Sequence, residues 1–183
     1  MRLQTLLTLL PLLSSTIEAF VVPTDRPDGA YIVTFDLSGT PNITKLEEPI
    51  TQQQRRNPQP GPGPGPSAKF GTPLKKRDSM GGTGRTFPNH ADYNACTSAM
   101  KLYFDNGVTV APHTIYYVSA GSAFLALCNY SPNRQGGYGW EVDNFNGLMD
   151  TYYGYWKTGW WHLDGPNKTF WRDLAGNDIC TNG

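Results

Sequence analysis

The chain is poor in the features that mark membrane, metal-binding and common catalytic proteins. Beyond the first twenty positions, no apolar run approaches the roughly 20 residues that a membrane-spanning helix needs. None of the three histidines, His90, His113 and His162, lies at metal-ligand spacing from a cysteine or another histidine. The sequence also lacks a nucleophile elbow, a phosphate-binding loop and a paired-carboxylate motif. We therefore expect no cofactor, no metal ion, no stable membrane insertion and no catalytic residues.

Net charge is lacking as well, because 15 Lys and Arg balance 15 Asp and Glu. The balance hides an asymmetry. Residues 20–77 carry eight basic against five acidic side chains, whereas residues 78–183 carry six against nine. Binding to a phosphate backbone depends on a basic surface, so the mildly acidic C-terminal part is not expected to bind nucleic acid.

The first 19 residues have the pattern of a secretory signal peptide. Arg2 precedes an interrupted apolar run, and Ala19 with Ile17 two positions earlier fits a cleavage site. The run is too short and too interrupted to span a bilayer. We therefore predict a secreted, extracellular protein whose chain starts at Phe20 after cleavage.

Residues 20–77 are predicted to be a largely disordered propeptide. One alternating run, Ala30 to Leu37, could form an isolated strand or hairpin. Much of the rest is Gln, Pro and Gly, which has little to bury and builds no hydrogen-bonded ladder. The segment ends in Lys75, Lys76 and Arg77, a basic cluster of the kind that a secretory-pathway processing protease recognises; Arg55-Arg56 is a second candidate. Cleavage would leave residues 78–183 as the mature domain.

Cysteine is scarce, but an exported chain is expected to use it for a disulfide. Cys128 lies in the most strand-like run, and a bond from Cys180 would hold the C-terminal end in place. We favour a Cys128–Cys180 bond, with Cys96 as the alternative partner. The odd count leaves one thiol unpaired or available between chains.

The mature part is predicted to be an α+β two-layer sandwich in the order α-β-β-α-β-β, with an antiparallel sheet. Two segments carry apolar residues at helical spacing, "HADYNACTSAMKLYFDNG" and "EVDNFNGLMDTYYGYWK". Four β-rich runs form two hairpins, "TIYYV" with "AFLALCNY" and "GWWHL" with "KTFWRDL".

The second hairpin supplies the candidate binding residues. In a strand, Trp160 and His162 face one side and Trp161 faces the other. An exposed aromatic ring can stack on a sugar or a base, whereas a buried one fills the core or pairs across strands. The candidate surface therefore comprises Trp160, Trp161 and His162, together with Tyr138 in the glycine-rich loop Asn133–Gly139.

A hydrolytic nuclease would need a histidine paired with a carboxylate, and an arginine for the phosphate. His162 with Arg172 and one of Glu141, Asp143 or Asp164 could supply such a set. Any small domain offers a similar trio, so the enzymatic interpretation stays an alternative.

Two acceptor sequences predict N-glycosylation, at Asn167 in a predicted turn and at Asn42 in the leader. Asn129 also matches, but Pro132 directly after the motif makes it a poor acceptor.

The chain resembles a group of small secreted fungal proteins. The strand "AFLALCNY" and the closing segment "TGWWHLDGPNKTFWRDLAGNDIC" are similar to those of virally encoded killer toxins of smut fungi and related secreted effectors of plant-pathogenic fungi. The leader, with "DGAYIVTFDLSG" and a terminal Lys-Arg, resembles their propeptides. The resemblance spans about residues 92–180 and implies a protease-matured effector or toxin-like virulence protein that binds a host or competitor target. The alternatives are a module that binds cell-wall glycans and a small secreted nuclease.

Overall fold

The computed structural model describes residues 19–47 and 78–180. These residues form two helices, a seven-stranded antiparallel sheet and two small two-stranded sheets. Most of the predicted signal peptide and both predicted processing sites lie outside the described residues. The elements are β1 (Phe20–Val21), β2 (Gly29–Phe35), β3 (Pro41–Lys45), β4 (Ser79–Thr86), α1 (His90–Asp105), β5 (Thr109–Val110), β6 (Thr114–Ala120), β7 (Ala123–Asn129), β8 (Gln135–Gly136), α2 (Gly139–Tyr153), β9 (Lys157–Leu163), β10 (Lys168–Leu174) and β11 (Asp178–Ile179).

Both predicted helices are present. The Asn89 side chain accepts a hydrogen bond from the Ala91 backbone N–H and so caps the start of α1. At the start of α2, the Glu141 carboxylate accepts one from the backbone N–H of Tyr138. Each helix buries one stripe of side chains, although the apolar spacing of the second segment continues to Tyr152 and Tyr153, which are 62% and 38% exposed. The buried stripes are Tyr93, Cys96, Met100, Tyr103 and Phe104 in α1, and Val142, Phe145, Leu148 and Met149 with polar neighbours in α2.

The main sheet has the strand order β3-β2-β6-β7-β10-β9-β4. Both predicted hairpins, β6–β7 and β9–β10, are present, and β7 and β10 join them at the centre of the sheet. Every residue of β7 is buried, because both faces of the sheet are covered. The mixed class with an antiparallel sheet is confirmed. The predicted element order is incomplete, since β4, β5, β8 and β11 are additional strands.

The two faces of the sheet carry separate apolar cores. One core, which includes Leu125 and Phe170, lies between the sheet and the two helices. The other includes Tyr117, Trp171 and Ile179 and lies under the small β1–β11 ladder. We call them the helix side and the ladder side.

Residues 20–47, called the leader segment below, belong to the fold. The expectation of a largely disordered leader is wrong for these residues, because β1, β2 and β3 are paired strands. The alternating run in β2 turns Tyr31 and Val33 inward, where they are 1% and 0% exposed. The sequence shows that such a strand is possible, but its partner, β6, lies about 80 residues along the chain and only the tertiary structure reveals it.

The predicted disulfide is present between Cys128 and Cys180, whose Cα atoms lie 5.9 Å apart. The alternative partner, Cys96, is buried on the helix side and is unpaired. Because Cys128 and Cys180 belong to the ladder side, the sheet lies between Cys96 and the bond.

Cys96 is expected to be inert towards thiol reagents in the folded protein. Burial raises the pKa of its thiol to about 12, and its Sγ donates a hydrogen bond to the carbonyl oxygen of Ala123 at 3.2 Å. Iodoacetamide at about pH 8 should modify Cys96 at least ~100-fold faster in denaturant than in buffer, because both thiolate fraction and access change. Mass spectrometry of timed samples measures the two rates, and equal rates would contradict the buried position.

Candidate functional site

Trp161 is a core residue. Its side chain is 6% exposed and lies on the helix side, where its ring stacks on Phe170 with centroids 6.2 Å apart. Phe170 is also its direct partner across the β9–β10 ladder, so the contact is the cross-strand aromatic pairing considered above. Trp161 is therefore not part of the exposed surface of the described residues.

Trp160 is half-buried on the opposite face. Its ring lies 6.2 Å from that of Trp171, its partner across the ladder. The neighbouring strand β4 passes so close that a Cβ added at Gly81 would lie 2.7 Å from the indole Nε1 of Trp160. A residue with a side chain at position 81 would collide with the Trp160 ring in its present position. The indole contributes mainly to packing between β4, β9 and β10.

His162 is a half-buried residue on the same face as Trp160. Its Nδ1 lies 2.8 Å from the hydroxyl oxygen of Thr169, which stands opposite it in the ladder. Its ring lies 6.2 Å from that of Tyr130. Both of these neighbours are uncharged, so neither supplies the carboxylate that would orient His162 as a general base.

The residues required for a nuclease are divided between the two faces of the sheet. His162 pairs with Thr169, and Arg172 lies three positions further along β10, so its side chain points to the opposite face. Arg172 reaches α1 and α2 on the helix side, and Glu141 lies there too, paired with Lys168. Asp143 is paired with Lys101 at 2.7 Å. The fold does not assemble His162, Arg172 and a carboxylate into one site.

Beneath α2, Glu141 and Lys168 form a buried ion pair. The Lys168 Nζ donates to both carboxylate oxygens, at 2.8 and 3.0 Å, and to the carbonyl oxygen of Gly136 at 2.9 Å. Their side chains are only 10% and 5% exposed. One carboxylate thus links three elements: it caps α2, and through Lys168 it ties that helix to β10 and to the loop that contains β8.

Arg172 organises a second buried network. Its guanidinium donates to Asp150 at 2.8 Å, to the hydroxyl oxygen of Tyr93 at 3.0 Å and to the side-chain oxygen of Asn146 at 3.3 Å. Burial raises the pKa of the Tyr93 phenol, although the positive charge of Arg172 acts in the opposite direction. Its neutral hydroxyl therefore accepts from Arg172. The network joins α1, α2 and β10 and leaves the arginine no exposed surface for a substrate phosphate.

Two aromatic side chains at the start of α2 point away from the core. Tyr138 and Trp140 are 58% and 54% exposed, and their rings are stacked with an interplanar angle of 15° and centroids 6.1 Å apart. We call Tyr138 and Trp140 the aromatic pair. The structure therefore places Tyr138 on the surface, stacked on Trp140.

Trp140 is not among the binding residues predicted above, although its position in α2 carries a signal. Buried positions of α2 include Val142, Phe145 and Met149. Trp140 precedes Val142 by two positions, which is more than half a turn around the helix axis. A tryptophan outside the apolar stripe of an amphipathic helix is a candidate for an exposed aromatic.

The loop that carries the aromatic pair is held at several points. Gln135 donates a hydrogen bond to the carbonyl oxygen of Pro166, and the Gly139 backbone N–H donates to Asp105 at 3.0 Å. A Cβ added at Gly137 would lie 2.4 Å from the ring of Phe104, so the backbone there rests directly on α1. The aromatic pair thus projects from a braced segment of chain.

Further exposed aromatics lie at the other end of α2. Tyr152 and Tyr155 are 62% and 74% exposed. Next to them Trp156 has a φ of 64°, a left-handed conformation that is uncommon for a bulky side chain. Its ring stacks on His90 with centroids 4.0 Å apart and meets Tyr93 edge-on, so packing holds this residue in place.

The two predicted glycosylation sites are accessible. Asn167 is exposed in the β9–β10 turn and Asn42 is exposed on the edge strand β3. Asn129, by contrast, is fully buried, and its amide donates to three backbone carbonyl oxygens. Its side chain is a brace for the neighbouring loops and cannot carry a glycan in this fold.

Within residues 19–47 and 78–180, no group of three or more His, Cys, Asp or Glu is arranged to hold a metal ion. Neither of the two helices there is long and apolar enough to cross a membrane. Comparisons with protein-family models, with curated proteins and with solved structures each found no match for this chain.

Proposed function

We propose that the chain is a secreted, protease-matured protein that acts without catalysis, by binding a protein target outside the cell through the aromatic pair. The resemblance to smut-fungus killer toxins and to effectors of plant-pathogenic fungi supplies the biological class, an effector or toxin. In this proposal the α+β sandwich of the chain, with both helices on one face of the sheet, is the scaffold that presents the aromatic pair.

The observation that carries the proposal is the exposure of two stacked aromatic rings on a braced helix terminus. Tyr138 and Trp140 leave more than half of their surface to solvent, while most other large aromatics of the domain are buried. Tyrosine and tryptophan dominate the energetics of many protein interfaces, since they add large contact area with few rotatable bonds. A braced backbone also reduces the entropy lost on binding.

A cell-wall glycan is the second candidate ligand. The near-parallel orientation of the two rings, 15° apart, offers a flat face on which the C–H groups of a sugar ring can stack. For this second candidate we propose Tyr138 and Trp140 as the stacking surface. Trp161, one of the two tryptophans first considered for that role, is buried in the core.

The proposal predicts that the Tyr138→Ala/Trp140→Ala double variant binds its target at least ~10-fold more weakly, because the contact area of both rings is lost. The labelled secreted protein is titrated onto intact plant and fungal cells, onto protease-stripped cells, and onto insoluble chitin and β-glucan. Tyr155→Ala is the matched control, since it removes an exposed aromatic at the other end of α2. Circular dichroism checks that all variants are folded.

The pattern of retention separates the hypotheses. Binding that disappears after protease stripping and in the double variant supports a protein target. Retention on chitin or glucan that depends on the pair supports the glycan alternative. If the double variant and Tyr155→Ala bind equally well, the aromatic pair is not the contact surface.

A further inference from the structure

The leader segment completes the sheet without any covalent bond to the domain other than the chain itself. Residues 20–77 contain no cysteine, so no disulfide can join them to residues 78–183. Both predicted dibasic processing sites, Arg55-Arg56 and Lys75 to Arg77, lie in the connection between β3 and β4. A cut at either site would leave every contact described below in place.

Backbone pairing joins the leader segment to the domain at two places. Strand β2 pairs with β6 over five residue positions, from Gly29 opposite Ser119 to Val33 opposite Ile115. Strand β1 pairs with β11, and the ladder is extended by a 2.8 Å hydrogen bond from the Gly176 N–H to the carbonyl oxygen of Val22. The leader segment is therefore hydrogen-bonded both to the main sheet and to the C-terminal end of the domain.

Side chains add polar and stacking contacts. The Asp28 carboxylate accepts a 2.8 Å hydrogen bond from the backbone N–H of Gly121, in the β6–β7 turn. Tyr103 of α1 donates its hydroxyl proton to the carbonyl oxygen of Glu47 at 3.1 Å. The ring of Tyr31 stacks on Tyr117 of β6 with centroids 4.9 Å apart.

Apolar side chains of the leader segment are buried in both cores. Phe20, Val22, Tyr31 and Val33 are at most 4% exposed, and all belong to the ladder-side core together with residues of β6, β7, β10 and β11. Ala30 is buried on the helix side. The leader segment thus contributes to both cores, as an integral strand does.

Removal of the leader segment would leave β6 as an edge strand. Six of its seven residues are buried, among them Ile115, Tyr116, Tyr117 and Val118. A long, apolar edge with unpaired N–H and C=O groups is a template for aggregation or for pairing with another chain. The strands that form the present edges of the sheet are less prone to such pairing, because β3 is polar and exposed and β4 is rich in glycine.

The connection between the two parts contains many residues relative to the distance between the strands that it joins. The leader strands and β4 lie at opposite edges of the seven-stranded sheet, about 29 Å apart at about 4.8 Å per strand spacing. The 30 residues from 48 to 77 could extend to about 100 Å. The extended length of residues 48–77 therefore far exceeds the width of the sheet. Cutting this segment lowers the effective concentration of the leader segment but does not change the contacts that it makes with the domain.

We propose that residues 20–47 stay bound to residues 78–183 after processing, so that the secreted product is a non-covalent two-chain protein. A processing protease would hydrolyse the Arg77–Asp78 bond with one water molecule, leaving a carboxylate on Arg77 and an amino group on Asp78. The edge of β6, strand β11 and the ladder-side core residues of the domain form the binding surface, and β1 and β2 are its ligand. This inference rests on the protease maturation in the proposed function and is independent of the aromatic pair.

The test begins with the purified full chain from residue 20, cut to completion with a dibasic-specific processing protease and applied to a size-exclusion column at about 10 µM. We expect residues 78–183 to elute in one peak together with the fragment that contains residues 20–47, and native mass spectrometry of that peak should give the sum of these two masses. Denaturant without reductant should separate them, because no disulfide joins them. Elution of the 78–183 fragment alone, soluble and folded, would overturn the proposal.

Two matched variants test the surface itself. Val33→Ala removes side-chain atoms that are fully buried in the ladder-side core, whereas Thr34→Ala changes an exposed residue on the same strand. On dilution, the two fragments of the cut Val33→Ala protein should separate at a concentration at least ~10-fold higher than those of the cut wild type. The fragments of the cut Thr34→Ala protein should separate at the same concentration as those of the wild type. Equal dissociation of all three proteins would show that β2 does not hold the complex together.

Discussion

Replacement of both Cys128 and Cys180 by serine is expected to lower the free energy of unfolding by about 4 kcal/mol, close to the whole stability of many small domains. The two residues are separated by 52 positions, so the bond removes considerable loop-closure entropy from the unfolded chain. Urea unfolding followed by tryptophan fluorescence measures the change. A cost below about 1 kcal/mol would contradict the prediction.

Cys96→Ala is the control for this experiment. Cys96 is buried but unpaired, so its replacement loses one thiol contact and no cross-link. We expect it to cost far less than the double serine variant. The disulfide variant should also loosen the leader segment, because Ile179, next to Cys180, pairs with Phe20 in the β1–β11 ladder.

Lys168→Met is expected to lower the free energy of unfolding by about 3–5 kcal/mol. The substitution preserves most of the side-chain volume but leaves the buried Glu141 carboxylate without its cation and the Gly136 carbonyl without its donor. An uncompensated buried charge is more costly than the net contribution of the ion pair, since the desolvation of the remaining partner is no longer offset. Urea unfolding at neutral pH again measures the effect.

The double variant Lys168→Met/Glu141→Gln shows whether that cause is right. Glutamine removes the charge and keeps an oxygen that can still accept from the Tyr138 N–H, as Glu141 does now. We expect the double variant to regain more than half of the stability lost in the single variant. If both variants are equally unstable, lost packing at position 168 is responsible and the buried-charge explanation fails.

The helices and hairpins were predictable because their signals are local. Cys96, Met100 and Tyr103 recur at helical spacing and all three are buried in α1. The four β-rich runs became β6, β7, β9 and β10 within a few residues of their predicted bounds. The four remaining strands of the domain are short or rich in glycine and polar residues, so their pairing depends on neighbours that are distant in sequence.

The candidate site was harder to predict, because exposure is a property of the assembled fold. Alternation along β9 correctly separates Trp160 from Trp161, but it does not say which face is covered more completely. Both faces turn out to be covered, one by the helices and the other by the β1–β11 ladder. The exposed rings lie instead on Tyr138 and Trp140, where α2 begins.

By itself, the sequence determined the mixed helix-and-sheet class, the two helices, the two central hairpins and the favoured disulfide, because each depends on short-range periodicity or on the chemistry of a few cysteines. The tertiary structure alone decided that residues 20–47 belong to the sheet, that His162 and Arg172 lie on opposite faces, and that Trp161 and Trp171 are buried while Trp160 is half-buried. These outcomes depend on which strands become neighbours. The pairing of strands is favoured when it buries apolar side chains from segments that are far apart in the sequence. No short window of sequence therefore determines which strands become neighbours.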